Sequence, residues 1–163
     1  MILDDGMIVF QLDGKDWIVK DMVASYSDLT GVADGEMISF YASISDSLHT
    51  YYKTILLFIM DTQTIGNKEY AFTGSSDTGS KIEIDAGETS ATGKKYLTTN
   101  PDESLTGTGK ITVLNYNRAA NKISGSFSGE IFKTNYTGDA NTGWVKTSIK
   151  SGRFNNIPII IGK

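Results

Sequence analysis

The chain has no cysteine, a single histidine and only two prolines among its 163 residues. Without cysteine there is no thiolate nucleophile, no disulfide and no zinc site built on sulfur. With His49 alone, metal sites that need two or more imidazoles are excluded, and any histidine-dependent dyad would have to centre on that residue. His49 falls in the polar stretch 45–50, which reads as a solvated loop, so no catalytic dependence on it is expected. No block of one charge sign is present: 15 Lys and Arg stand against 19 Asp and Glu, for a net charge of −4. A nucleic-acid binder would show a basic stripe, and nucleic acid is therefore not an expected partner. The longest apolar run, 55–60, is far shorter than the roughly 20 residues of a membrane-spanning helix, so no transmembrane segment is expected. Helical periodicity is also missing, since no stretch of about ten residues repeats apolar positions at three- and four-residue spacing.

What the chain does have is glycine (17), tyrosine (8), phenylalanine (7) and abundant serine and threonine, residues that suit strands and tight turns. Its length fits a single domain, 1–163, able to bury about 70% of its unfolded surface. Alternation is the dominant period. Ile8, Phe10 and Leu12 share a strand face, Asp13-Gly14 signals a hairpin turn, and 17–19 reads as the returning strand. Further strands are predicted over 38–45, 69–73, 81–86, 110–116, 122–133, 144–149 and 153–161, with a short one near Tyr96 inside a long loop. Residues 54–60 are apolar on both faces, which predicts a central strand covered on both sides. About ten short strands punctuated by turns predict an all-β fold, a mostly antiparallel β-sandwich, with a closed β-barrel as the alternative.

Chemical constellations are sparse. Glycoside hydrolysis needs two carboxylates about 5–9 Å apart. Asp4 with Asp5, Glu83 with Asp85, and Asp102 with Glu103 are the candidates, and each reads better as a turn or a solvated strand face. The loop from Asn135 to Asn141 offers calcium a single carboxylate, Asp139, against the several a calcium loop supplies. Gly107-Thr108-Gly109 resembles half of a phosphate loop, but no helix pattern follows it. No catalytic residue, metal ligand or cofactor is expected. Asn135-Tyr136-Thr137 fits the N-glycosylation acceptor pattern.

Three stretches in the last third carry a resemblance: Gly109 to Asn117, then Asn121-Lys122-Ile123-Ser124-Gly125-Ser126-Phe127-Ser128, then Ser151-Gly152-Arg153-Phe154-Asn155-Asn156-Ile157-Pro158. Their order, with Phe10, Asp13-Gly14 and Trp17 at the start, resembles a family of exported Bacteroidetes proteins of unknown function, mostly lipoproteins. The match is loose in the middle of the chain. The resemblance implies an all-β exported domain of the cell envelope, with an export leader, bearing a lipid-anchored cysteine, encoded ahead of Met1. It carries over no catalytic or binding residues. Asp46-Ser47-Leu48 fits an acceptor pattern for O-glycosylation in such proteins.

Strand register is also readable. Ile123, Gly125, Phe127, Gly129 and Ile131 form a dry face, with the two glycines leaving room for large side chains. Ser124, Ser126, Ser128, Glu130 and Phe132 form a wet one. In the next strand Val145, Thr147 and Ile149 read as dry. Keeping wet with wet sets Phe132 opposite Trp144, Glu130 opposite Lys146 and Ser128 opposite Ser148. That alignment puts Phe132 and Trp144 on the outer face beside Tyr136, a candidate platform for a glycan, a peptide or an envelope protein. A non-enzymatic binding or structural domain is therefore the first expectation. A small-ligand carrier, needing an open apolar mouth, is the second, and an acid-pair hydrolase the third.

Overall fold

Asp13 and Gly14 take φ of 51° and 70°, the left-handed pair that a two-residue turn needs between right-twisted strands. The hairpin they close, β1 (Met7–Leu12) and β2 (Lys15–Val19), is where the sequence predicts it. The computed structural model describes residues 2–29, 35–45, 52–74, 78–87, 94–99, 104–135 and 143–162. The remaining strands are β3 (Val23–Asp28), β4 (Glu36–Ser45), β5 (Tyr52–Asp61), β6 (Glu69–Ala71), β7 (Gly79–Gly87), β8 (Lys94–Leu97), β9 (Gly109–Asn117), β10 (Lys122–Asn135) and β11 (Val145–Ile161). Among the described residues there is no helix.

All eleven strands belong to one mixed, mostly antiparallel sheet. Its pairing path returns on itself: β11-β3-β4-β5-β7-β8-β10 and back to β11, with β11–β3 the one parallel strand pairing among the described residues. Such a ring fits either of the two architectures expected, sandwich or barrel. The β1–β2 hairpin adds to β11 beside β3, and β9 with β6 adds to β10.

β3 has no counterpart in the sequence prediction, because only Ala24 and Tyr26 mark its inward face and, Val23 apart, its other residues are small or polar. β11 is one strand of 17 residues rather than the two predicted. Ser151 (φ 52°) and Asn156 (φ 45°) each add a residue to it opposite β10, and these two bulges reset its alternation. Buried positions therefore fall three apart, at Ile149 and Gly152 and again at Phe154 and Ile157, which hides a continuous strand from a period-two reading. β5 is buried on one face, at Ile55, Leu57 and Ile59, while Leu56, Phe58 and Met60 are half-buried.

The dry face of β10 is as expected, with Ile123, Phe127 and Ile131 buried. The register against β11 is not. Phe132 lies opposite Lys146, Glu130 opposite Ser148 and Ile131 opposite Thr147, a slip of two residues from the expected alignment. A two-residue slip leaves every side chain on its own face, so the wet and dry pattern cannot detect it. Glu130 and Lys146 remain within 3.4 Å, now as diagonal neighbours. Val145, expected dry, is exposed at the start of its strand.

Among the described residues a chain of rings runs through the core. Trp17 stacks on Phe10 (5.3 Å between centroids), Phe10 meets Phe127 (5.8 Å), Phe127 meets Phe154 (6.4 Å), and Phe154 meets Phe40 edge-on (5.2 Å). Two Gly-x-Phe words on antiparallel strands produce the centre of this chain. Gly125 lies opposite Phe154, and Phe127 opposite Gly152. A Cβ at Gly125 would stand 2.4 Å from the Phe154 ring, and one at Gly152 would stand 2.5 Å from the Phe127 ring. Each glycine thus supplies the space its opposite phenylalanine occupies. Phe72 makes the same use of Gly109 and Gly129.

Candidate functional site

Two carboxylates face each other at one end of the ring. Glu36 opens β4 and Asp61 closes β5, and the two are cross-strand partners. Glu36 continues the inward series of Ile38 and Phe40, and Asp61 that of Ile59 and Leu57. Both point toward the core, where carboxylates need partners. Residues 61–70 supply many of them by folding over this end. The Glu36 carboxylate accepts hydrogen bonds from the Ile65 N–H (2.7 Å), Arg118 Nη2 (2.7 Å) and Tyr26 Oη (3.0 Å). Arg118 also donates to the Ile65 carbonyl and lies 4.4 Å over the Tyr116 ring. Asp61, 3% exposed, accepts from the Gln63 N–H, from Tyr70 Oη (3.2 Å) and from Lys68 Nζ (2.6 Å). Ile65 is buried beneath this cap, and so is Tyr70, whose hydroxyl accepts from the Gly66 N–H.

The electrostatics follow. Burial pushes the Glu36 carboxyl up, but Arg118, the Ile65 N–H and Tyr26 outweigh it and hold the group below its ordinary value. Asp61 behaves likewise, with burial overcome by Lys68, Gln63 and Tyr70. Burial, reinforced by Asp61, pushes the Tyr70 phenol up to about 12. A glycosidase pair needs one carboxyl held up as the acid. Here both are held down, and their oxygens are engaged in fastening the cap.

The opposite end is fastened by Asp13. Its carboxylate accepts from Thr147 Oγ1 (2.8 Å), Tyr96 Oη (2.9 Å) and Lys133 Nζ (2.9 Å), tying the hairpin tip to β11, β8 and β10. Burial raises this carboxyl, and Lys133, Thr147 and Tyr96 together bring it below its ordinary value. Beside it the Lys53 ammonium lies 4.4 Å over the Trp17 ring.

Both ends of the ring are expected to loosen in acid. Glu36, Asp61 and Asp13 all have folded values below their unfolded ones, near 3.8 for aspartate and 4.5 for glutamate. Their stabilisation is present above that range and disappears as pH falls through the folded values. Urea midpoints are expected to drop between about pH 5 and pH 3, and to drop less steeply in Glu36→Gln. A flat profile across that interval would show that these carboxylates do not hold the ends.

The expected platform is not assembled as drawn. Phe132 is 8% exposed, directly opposite buried Leu97 of β8, so it lies under cover rather than on an open face. Trp144 is half-buried just ahead of β11 and is not its cross-strand partner. Tyr136 lies outside the described residues, as do His49, Asp46-Ser47-Leu48, Asp102, Glu103, Thr137 and Asp139. Glu83 is exposed and Asp85 half-buried, on the outer face of β7. Asp5 holds Lys122 (2.9 Å) and Asn156 (2.8 Å). Gly107 donates its N–H to the Thr98 carbonyl and packs against the β10 backbone at Glu130, so it is buried between Thr98 and β10.

Sequence reasoning missed Glu36, Asp61, Tyr70 and Arg118. A signal existed: each carboxylate sits two residues beyond the last apolar inward position of its strand. Among the described residues no group of three His, Asp or Glu is placed to hold a metal ion, and no helix is long and apolar enough to cross a membrane. Open recesses of about 260, 320 and 350 Å³ lie on the outside, near Ile18 and Arg153, near Met22 and Pro158, and near Asp13 and Lys150. No protein-family model matches the chain, and neither curated proteins nor solved structures provide a match.

Proposed function

We propose that this chain is a non-enzymatic binding domain of the cell envelope, acting through its outer faces and edges on a glycan, a peptide or another envelope protein. One observation carries the reading: among the described residues the chain's own aromatic side chains, from Trp17 to Phe40, pack against one another in the core of the ring. A ligand carrier of the barrel type would keep that space for its cargo. The inward acid pair supports the same reading, since Glu36 and Asp61 are both held in the charged form by the cap. The envelope location rests on the sequence resemblance, carried by the two Gly-x-Phe words and the Asp13-Gly14 opening.

Biolayer interferometry of the purified chain on envelope polysaccharides and on solubilised envelope proteins tests the proposal. Saturable binding without chemical change of the bound material is expected. Turnover of a polysaccharide that disappears in Glu36→Gln, with the fold intact, would replace the binding reading by the hydrolase one.

A further inference from the structure

The ring has a seam at the Asp13 end. β3 pairs with β4 only as far as Val23 opposite Tyr41. Beyond that point the β4 stretch 42–45 is hydrogen bonded to β5 on one side and, among the described residues, to nothing on the other. β2 is likewise a terminal strand, bonded among the described residues only to β1. The two free edges flank the same part of the wall: Trp17 of β2 lies 4.4 Å from the ammonium of Lys53, which is the cross-strand partner of Ile44 in β4.

The turn at Asp13-Gly14 fixes which backbone groups are left over. In a two-residue hairpin the flanking pair, Leu12 with Lys15, is hydrogen bonded, and bonded pairs then alternate with non-bonded ones. Phe10 with Trp17 and Ile8 with Val19 are bonded pairs. Gln11 with Asp16 and Val9 with Ile18 are not, so the N–H and C=O groups of Asp16 and Ile18 point away from β1 to the free edge. Neither residue has another backbone partner among the described residues. Such a row of donors and acceptors is a template for one more strand. The side chains flanking the seam on the outer surface are apolar and exposed: Ile18 on β2, Val23 on β3 and Tyr41 on β4.

We propose that this seam receives an extended peptide segment of a partner protein, which adds as a strand to β2 and sets apolar side chains outward between Ile18 and Tyr41. The proposal rests on the binding-domain reading and narrows its partner to a polypeptide in β conformation. Main-chain hydrogen bonds to Asp16 and Ile18 supply affinity, and the Ile18, Val23 and Tyr41 surface selects alternating apolar residues.

Amide hydrogen exchange followed by NMR is the test. In the peptide-free chain the Asp16 and Ile18 amides are expected to exchange much faster than those of Trp17 and Val19. A soluble peptide of alternating valine and threonine should slow both by about tenfold or more, and the same peptide with a central proline should not. Ile18→Pro removes an outward N–H that no native bond uses, and should leave the fold intact while abolishing the effect. Asp16→Pro serves the same purpose should the first variant fail to fold. Slow exchange at both amides without peptide overturns the proposal. If that protection rises with chain concentration, the edge is covered by a second copy. No slowing at millimolar peptide also overturns it. Envelope-protein binding that survives Ile18→Pro removes the seam and leaves the binding-domain reading standing.

Discussion

Phe127→Ala is expected to lower the stability of the chain by about 3–5 kcal/mol, the usual cost of removing a buried phenylalanine. Phe127 is 3% exposed and touches both halves of the aromatic chain, meeting Phe10 on one side and Phe154 on the other. Its ring also fills the space left by Gly152, where a Cβ would come within 2.5 Å. Truncation would therefore leave a gap bordered by a residue with no side chain to move into it. The cavity contribution should put the cost toward the upper part of the range. Denaturant midpoints with an unchanged m-value measure it. A loss under about 1 kcal/mol would place Phe127 outside the structural core.

Tyr70→Ala should cost a similar amount, about 3–5 kcal/mol, for a different combination of reasons. Tyr70 is 1% exposed and its ring is packed in the core, while its hydroxyl joins Asp61 to the Gly66 backbone. Tyr70→Phe separates the two contributions. It keeps the ring and removes the hydroxyl, leaving the Gly66 N–H without its partner and Asp61 with one donor fewer. That change should cost about 1–3 kcal/mol, the range for an unsatisfied buried polar group. The pair of variants thus reports how much of the cap is apolar packing and how much is hydrogen bonding. Equal losses in both would mean that the ring contributes nothing, contrary to its burial.

The sequence made the fold class and most strands legible because alternation is a direct signal of a sheet with one buried face. The Ile8-Phe10-Leu12 and Ile123-Phe127-Ile131 series are buried as read. The Asp13-Gly14 turn was legible because two consecutive left-handed residues are a strong local demand. The register of β10 against β11 was not, because slips of two residues preserve every wet and dry assignment. Phe132 shows the limit of alternation more sharply. It sits on the outer face, as its parity requires, yet Leu97 of β8 lies directly opposite it and both are buried. No local pattern within 122–133 announces that this position will be covered. The cap was illegible for the same reason: Glu36, Asp61 and Arg118 lie far apart in the chain, and only the β4–β5 pairing and the 61–70 fold bring them together. The two Gly-x-Phe words were visible throughout, but their meaning required the antiparallel pairing that sets each glycine opposite the other word's phenylalanine.

If partners meet the outside of the protein, as we propose, its core holds its own side chains and no cargo. Native mass spectrometry of the chain, purified gently from the cells that make it, tests this most directly. A species at the mass of the polypeptide is expected, with any covalent modification but without a retained small molecule. A stoichiometric apolar ligand that leaves only on unfolding would contradict it, because the space between Trp17 and Phe40 would then hold cargo.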